Sequence, residues 1–331
     1  MQLNNFKFTT ELHDLGQFNE EWSGILSPLY DRDLVKKFVH KQFWEDASKW
    51  IDFSQNFDYW KWLLQRSQKS FYLESSDVLR ILDVGSGGGN TIFPLLELYP
   101  HANVIASDLS VPLLRYLKKY YDKHYSNHHL LIIQMNAEEL IFEDNQMDLV
   151  VGGAILHHLL CPSKALAEVY RVLTPGRAAI FYEPFEIGNQ IIALTIKHLI
   201  TINHLLSPGI EHIQPHIIDT FESLCKDINV RKGIDKTGLR YQQIEDKWLF
   251  TKGYLENIAA SIGFSEIIIY PIHNTNNPFS RQINYLLQAI NKVDAAALPQ
   301  WVIKYIHDID QFFSEELRNE LLIEGCVILK K

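Results

Sequence analysis

The chain has 331 residues, of which 47% are hydrophobic and 21% charged, so it can bury a large core and is longer than one common domain. Its formal net charge of −9 argues against a general electrostatic grip on nucleic acid. Its cysteines, Cys161, Cys225 and Cys326, have no CxxC spacing and predict neither a zinc cage nor a disulfide framework. We expect one main domain with additions, in a reducing cytosol.

The hydrophobic profile does not predict a membrane protein. Residues 1–7 contain no basic segment followed by an apolar one, so no signal peptide is expected. The most hydrophobic long segment, 187–206, includes Asn189, Lys197 and Asn203 and is too polar for an uninterrupted membrane span of about 20 residues. We therefore expect a cytoplasmic protein without a membrane span, as a monomer or a homodimer.

Residues 1–76 carry aromatic residues at helical spacing, which predicts a helical cap. One run comprises Phe43, Trp44, Ala47, Trp50 and Ile51, and a second comprises Phe57, Trp60 and Leu64. Aromatic stripes of this kind usually belong to a core. The alternative is that some of these rings line an apolar ligand pocket.

The most informative stretch runs from Val78 to Asn90, where an apolar run ends in a Gly-rich turn. The apolar run is typical of a buried parallel strand. Glycines at positions 85, 87, 88 and 89 permit positive φ and let a ligand approach the backbone where any Cβ would intrude. A helix predicted over 91–98 directs its free N–H groups into the turn, which favours an anionic part of a small molecule.

The spacing of the glycines separates two ligand classes. The dinucleotide fingerprint requires glycine at the first, third and sixth positions, and the sixth position here is Asn90. The pattern Asp83-x-Gly85-x-Gly87-x-Gly89 resembles instead the first motif of the class I S-adenosylmethionine (SAM)-dependent methyltransferases. The resemblance implies a cofactor site at Asp83, Gly85, Ser86, Gly87 and Gly89, with the glycines admitting the methionine end of SAM.

The ends of the next predicted strands extend this resemblance. Asp108 ends a strand at 102–108, about 20 residues beyond the last glycine, the interval expected for a carboxylate that binds ribose hydroxyls. Asp108 could also cap the helix that begins near Pro112, and the two roles are compatible. The loop after a strand at 130–134 resembles the family's adenine-contacting segment. The resemblance implies further cofactor contacts from Leu109, Asn136, Ala137, Glu138 and Gly152.

The predicted acceptor side follows the fourth strand, Met147–Gly153. The segment Ala154-Ile-Leu-His157-His158 resembles the one that many small-molecule methyltransferases have there. A neutral imidazole can take a proton from an attacking hydroxyl near pH 7, so His157 is the predicted general base. Alternatively, His157 only shapes the pocket or hydrogen-bonds a neighbouring residue. The predicted substrate-binding residues are His158, Tyr182 and Glu183.

The resemblance covers residues 78–184 and includes Leu166-x-Glu168-x-x-Arg171-Val-Leu-x-Pro175-Gly176, which resembles the family's signature before the fifth strand. It implies an α/β fold with a doubly wound, seven-stranded, mostly parallel sheet whose last strand is antiparallel. Ligands are expected at the carboxyl ends of the strands. The predicted organisation is a helical cap at 1–76, a SAM-binding Rossmann-like core at 77–184, a helical insertion at 185–251, a continuation of the core at 252–271, a second helical insertion at 272–322 and a final core strand at 323–331, with the insertions forming a lid.

The resemblance predicts a SAM-dependent methyltransferase that releases S-adenosylhomocysteine and O- or N-methylates a small, apolar or aromatic metabolite or natural-product precursor. An apolar stripe at Ile191, Leu194, Ile196, Leu199, Ile200, Ile202 and Leu205 favours an apolar acceptor, and core packing explains the stripe equally well. A peptide, protein or lipid-like acceptor is an alternative, as is a non-catalytic SAM-binding regulatory protein. No carboxylate or cysteine cluster has ligand-like spacing to the histidines, so no metal site is predicted.

Overall fold

The computed structural model describes residues 5–31, 35, 56–70, 78–273, 275–290 and 292–331. The predicted aromatic run at Phe43, Trp44, Ala47, Trp50 and Ile51 lies outside the described residues, so its place in a cap stays a prediction. Within the described ranges, no helix has both the length and the apolar composition needed to cross a membrane.

A mostly parallel sheet of nine strands, counted over the described residues, forms the centre of the fold. Its strands are β1 (His13–Asp14), β2 (Ile25–Ser27), β3 (Arg80–Val84), β4 (Asn103–Asp108), β5 (His129–Gln134), β6 (Met147–Gly153), β7 (Leu173–Pro184), β8 (Glu266–Pro271) and β9 (Glu324–Lys330). They are ordered β1-β2-β5-β4-β3-β6-β7-β9-β8. The strands from β2 to β7 in this order are parallel, and β9 lies antiparallel between β7 and β8. The predicted fold class, with its antiparallel last strand, is confirmed.

Two short strands at the N-terminal edge raise the strand count above the predicted seven. β1 pairs antiparallel with β2, and β2 extends the parallel ladder of β5. Ile25 of β2 is fully buried. Residues 13–14 and 25–27 therefore extend the sheet, so the predicted cap at 1–76 is not wholly helical. Strands of two and three residues are too short to show the alternation that identifies a strand in a sequence.

Helices pack on the sheet and form a further layer beside it. They are α1 (Phe57–Ser67), α2 (Ile92–Leu98), α3 (Val111–His124), α4 (Pro162–Val172), α5 (Glu186–Leu205), α6 (Pro215–Arg231), α7 (Arg240–Gln243), α8 (Lys252–Ile262), α9 (Pro278–Tyr285), α10 (Gln300–Phe312) and α11 (Glu315–Glu320). Alternate residues of β3 and β4 enter two different hydrophobic clusters, with Leu82 and Ile105 in one and Ile81 and Val104 in the other. Because side chains alternate along a strand, these clusters are the cores on the two faces of the sheet.

A third hydrophobic cluster joins the helices of the two insertions. It contains Leu199 of α5, Phe221 of α6, Phe279 of α9 and Val302 of α10, all of them buried. The two insertions therefore pack together around a core of their own, beside the sheet cores.

Gly188, in the first turn of α5, lies directly against the backbone of Leu322. The Gly188 N–H donates to the Leu322 carbonyl at 2.9 Å, and a Cβ added at Gly188 would stand 2.5 Å from that oxygen. We expect Gly188→Ala to lower the free energy of unfolding by about 1–3 kcal/mol, because the helix must move away from this carbonyl.

Gly253→Ala, near the start of α8, is the matched control, because nothing lies within 4 Å of an added Cβ there. It should raise the free energy of unfolding by about 0.4–1 kcal/mol, since it restricts the unfolded chain. Urea denaturation measures both values. Equal effects of the two substitutions would contradict the close approach at Gly188.

Candidate functional site

A pocket opens at the carboxyl ends of β3, β4, β5 and β6. β3 lies between β4 and β6, so the chain leaves it in opposite directions and creates the crevice in which α/β sheets bind ligands. The predicted site residues that line this pocket are Gly85, Ser86, Gly87, Asp108, Leu109, Asn136, Ala137, Glu138 and His158. The structure therefore brings together most of the predicted cofactor residues.

The Gly-rich turn forms one wall, and its glycines have different roles. Gly85, Gly87 and Gly89 have φ values of +70°, +49° and +99°, in the left-handed region. A Cβ at Gly85 would stand 2.6 Å from the Ile155 side chain, and one at Gly89 would stand 2.4 Å from the Phe93 ring. Nothing lies within 4 Å of a Cβ at Gly87. Packing thus requires glycine at 85 and 89, whereas Gly87 leaves its space to the pocket.

Asp108 joins the Gly-rich turn to the start of α3. Its Oδ2 accepts a hydrogen bond from the Gly87 N–H at 2.9 Å, and its Oδ1 accepts one from the Ser110 N–H at 2.8 Å. Burial raises the pKa of Asp108, and the N–H donors of Ser110 and Gly87 oppose this rise. The carboxylate therefore lines the pocket and orders the turn before α3, and its contact with ribose hydroxyls stays a prediction.

The loop after β5 is shaped by its own side chains. Asn136 Oδ1 accepts a hydrogen bond from the Glu138 N–H at 3.0 Å, and Glu138 Oε1 accepts one from the Cys161 N–H at 3.0 Å. The Asn136 N–H donates to the Tyr30 hydroxyl at 3.1 Å. Sequence reasoning missed Tyr30, because no local pattern connects the segment after β2 with the end of β5.

Three predicted cofactor residues, Asp83, Gly89 and Gly152, lie outside the pocket lining, and their contacts with SAM stay a prediction. Gly89 packs against Phe93, and a Cβ at Gly152 would stand 2.5 Å from the Phe181 ring. Asp83 is fully buried; its Oδ2 accepts a hydrogen bond from the Thr91 hydroxyl at 2.6 Å, whereas its Oδ1 has no hydrogen-bond partner among the described residues.

The structure places His157, the predicted general base, behind the pocket wall. This side chain is 7% exposed and does not line the pocket. Its Nδ1 lies 2.7 Å from Glu183 Oε2, and its Nε2 lies 3.5 Å from Asp246 Oδ1. Burial lowers the pKa of His157, but the charges of Glu183 and Asp246 outweigh burial and raise the pKa to about 9. This environment favours the protonated imidazole, and the role of His157 as a general base stays a prediction.

Tyr182 and Glu183, two of the predicted substrate-binding residues, are also absent from the lining. Glu183 is 1% exposed, and its carboxylate accepts hydrogen bonds from the N–H groups of Ile155, Leu156 and His157. The Tyr182 hydroxyl lies 2.9 Å from Ser67 Oγ. Both side chains support the pocket wall from behind, and their contact with a substrate stays a prediction.

His158 does line the pocket. Burial and then the charge of His157 lower the pKa of His158 to about 3, so its imidazole is neutral. Trp60 of α1 also lines the pocket; it belongs to the aromatic run for which a place in a ligand pocket was the alternative to core packing. Glu245 and Lys247 of the first insertion line it too, and sequence reasoning missed them because they lie far from the Gly-rich turn in sequence.

The insertions contribute unequally to the pocket. Glu245 and Lys247 come from the first insertion, and none of the described residues of the second insertion belongs to the lining. The apolar stripe of α5 does not line the pocket either: Ile196 and Leu199 are buried in the core of the insertions, and Leu194 is 54% exposed. Core packing, the alternative considered for this stripe, explains its buried members.

Asp83 should make stability depend on pH. Burial raises its pKa from 3.8 to about 7, with the Thr91 hydrogen bond opposing the rise. The folded protein therefore keeps a proton that the unfolded chain releases, and the resulting stabilisation, complete below about pH 4, is lost as the pH rises through about 7.

Asp83→Asn cannot ionise, so its free energy of unfolding should not show this loss. Urea denaturation of both proteins at about pH 5 and about pH 7.5 measures the effect. The free energy of unfolding of the variant should increase relative to that of the wild type as the pH rises. A difference between the two proteins that stays constant over this range would show that Asp83 ionises normally in the folded state.

Comparisons with known proteins agree with this architecture. Residues 82–181 match the family model described as a methyltransferase domain. The malonyl-[acyl-carrier protein] O-methyltransferase of Marinomonas sp. is 31% identical over 46% of this chain and 52% of its own length. The demethylmenaquinone methyltransferase of Lactiplantibacillus plantarum is 32% identical over 38% of this chain and 54% of its own length. The chain thus spans about half the length of the curated relatives it matches.

Solved structures share the fold at low sequence identity. Phosphoethanolamine N-methyltransferase 2 of Haemonchus contortus, in complex with phosphomonomethylethanolamine and S-adenosylhomocysteine, has a TM-score of 0.55 and 16% identity over 98% of this chain and 68% of that one. Together, the family match and the shared fold confirm the predicted resemblance: residues 82–181 match a methyltransferase domain, and the chain shares the fold of a known methyltransferase.

Proposed function

We propose that this protein binds SAM in the pocket at the carboxyl ends of β3 to β6 and transfers its methyl group to a small-molecule acceptor, releasing S-adenosylhomocysteine. The observation that carries the proposal is the pairing of the Gly87 N–H with Asp108 Oδ2 at 2.9 Å in the pocket wall. This pairing places the Asp108 carboxylate beside the open backbone at Gly87. A ligand that has both a ribose and a compact charged end needs this combination. The methyltransferase names of the relatives and the S-adenosylhomocysteine bound to the Haemonchus contortus enzyme support this ligand.

Each part of the pocket then has a defined task. The space left open at Gly87 takes the methionine end of SAM, Asp108 accepts hydrogen bonds from the ribose hydroxyls, and the loop at Asn136 holds the adenine. Methyl transfer needs little covalent assistance, because the sulfonium already activates the methyl carbon and the protein mainly aligns the acceptor and excludes water. The placement of His157 behind the pocket is therefore compatible with catalysis.

The acceptor that we propose is a small, apolar or aromatic molecule with an oxygen or nitrogen nucleophile. Trp60, Ile155 and Leu159 supply apolar surface to the pocket. A Cβ at Gly153 would stand 3.0 Å from the Trp60 ring, so this ring lies beside the end of β6. The names of two relatives, an O-methyltransferase and an N-methyltransferase, cover both kinds of nucleophile.

Substitution at Gly87 tests the cofactor site. Gly87→Ala should weaken binding of S-adenosylhomocysteine by about tenfold or more, equivalent to about 1.4 kcal/mol, because the new Cβ occupies ligand space. Gly176→Ala is the matched control: its φ is +78°, nothing lies within 4 Å of an added Cβ, and Gly176 is outside the pocket lining. Isothermal titration calorimetry should find the wild-type Kd for the control. Equal Kd values for all three proteins would refute this site.

Turnover is tested with SAM carrying a labelled methyl group and metabolite extracts of the source organism. We expect label in a small molecule and stoichiometric S-adenosylhomocysteine, since direct transfer leaves no other product. Chromatography and mass spectrometry separate the alternatives. Label confined to polypeptides would establish a protein acceptor, and label in the lipid fraction a lipid-like one. Tight cofactor binding without transfer to any fraction would indicate a regulatory protein.

A further inference from the structure

Two adjacent histidines and a distant aspartate meet beside the pocket. His157 and His158 lie on the 3₁₀ turn that follows β6, and Asp246 lies in the segment between α7 and α8. The His157 Nε2 atom is 3.5 Å from Asp246 Oδ1, and the His158 Nδ1 atom is 3.3 Å from the same oxygen. Each of the three residues offers one potential metal-ligand atom, and these three atoms all lie within 4.8 Å of one another.

These separations fit donor atoms around a common ion better than they fit charged hydrogen bonds. A hydrogen bond between charged nitrogen and oxygen is about 2.7–2.9 Å long. The His157 Nδ1 contact with Glu183 Oε2 has that length, at 2.7 Å, whereas both contacts with Asp246 are longer. Two donor atoms each about 2.0–2.1 Å from a tetrahedral metal ion are about 3.4 Å apart.

The surroundings orient the donor atoms of His157 and Asp246. When the Nδ1–H of His157 donates to Glu183, the lone pair of Nε2 is directed towards Asp246, which is the carboxylate–histidine–metal arrangement that orients many metal ligands. Arg231 lies 3.2 Å from Asp246 Oδ2, so the other carboxylate oxygen, Oδ1, is the one near the imidazoles. The Lys247 and Trp248 N–H groups donate to the His157 carbonyl at 2.8 and 3.2 Å and hold the Asp246 segment against the turn.

We propose that His157 Nε2, His158 Nδ1 and Asp246 Oδ1 bind a divalent transition-metal ion of the Zn²⁺ class, with a water molecule in the fourth position. Imidazole nitrogen and carboxylate oxygen are suitable donors for this ion. Binding releases the proton that His157 Nε2 otherwise carries, because the metal takes its lone pair. The ion ties the end of the first insertion, with the pocket-lining Glu245 and Lys247, to the turn after β6.

The test uses the full chain, freed of metal with a chelator and dialysed. Titration calorimetry with ZnCl₂ should find one equivalent per chain, and Co²⁺ should give the intense visible bands of a tetrahedral site. Asp246→Asn and His158→Gln should each weaken Zn²⁺ binding by about tenfold or more, since each loses a ligand. Asp227→Asn is the matched control: it removes the other carboxylate at Arg231, 3.1 Å away, and should leave Zn²⁺ affinity unchanged.

Two results would overturn the proposal. If the wild type does not bind Zn²⁺, His157, His158 and Asp246 form only an ion-paired cluster. If the wild type and both ligand variants bind Zn²⁺ with equal affinity, the ion binds at other histidines. Circular dichroism checks that the variants are folded. The Co²⁺ spectrum of the wild type reports the coordination geometry of the ion and does not depend on the variants. Binding of S-adenosylhomocysteine is measured on the same metal-free protein and tests the proposed cofactor site alone. A failure of the metal proposal can therefore be distinguished from a failure of the cofactor proposal.

Discussion

The buried carboxylate of Glu183 is the contact on which the pocket wall most depends. A buried charge is costly unless it is paired and fully hydrogen-bonded. Glu183 meets this condition at the end of β7 by accepting three successive backbone N–H groups of the turn after β6 and by contacting the imidazole of His157. The same turn packs Ile155 against Gly85 and exposes His158 to the pocket. β7, the turn after β6 and the Gly-rich turn therefore form one structural unit.

The order of the strands explains how residues far apart in sequence share this pocket. β3 pairs with β4 in a register that places Val84 opposite Ser107. Both strands end at the same edge, so the first residues after them, including the Gly-rich turn and the loop beyond Asp108, must share one surface. The hydrogen bond from Gly87 to Asp108 closes the gap between the two strand ends. The parallel register, more than any single side chain, thus determines which residues can reach a ligand.

The parts of this arrangement that could be predicted from sequence have local signals. The Gly-rich turn follows directly after an apolar strand, and Asp108 lies at a characteristic interval from it. β1 and β2, with two and three residues, have too few positions for any periodicity. The histidines show a different limit. The resemblance identified their segment, but which imidazole faces the pocket depends on Glu183 and Asp246, whose positions relative to the turn are established only by the tertiary fold.

The first insertion packs in a core that lies beside the sheet cores, and a short segment of it reaches the pocket. Its helices α5 and α6 pack with α9 and α10, away from the lining, and the segment after α7 supplies Glu245 and Lys247 to the lining and contacts the turn beyond β6. That attachment uses the main-chain N–H groups of Lys247 and Trp248, together with the Trp248 indole, which donates to the Leu159 carbonyl at 2.8 Å. Backbone hydrogen bonds do not depend on side-chain identity. The backbone hydrogen bonds at 247 and 248 therefore hold this segment against the turn whichever side chains stand there, while Glu245 and Lys247 line the pocket.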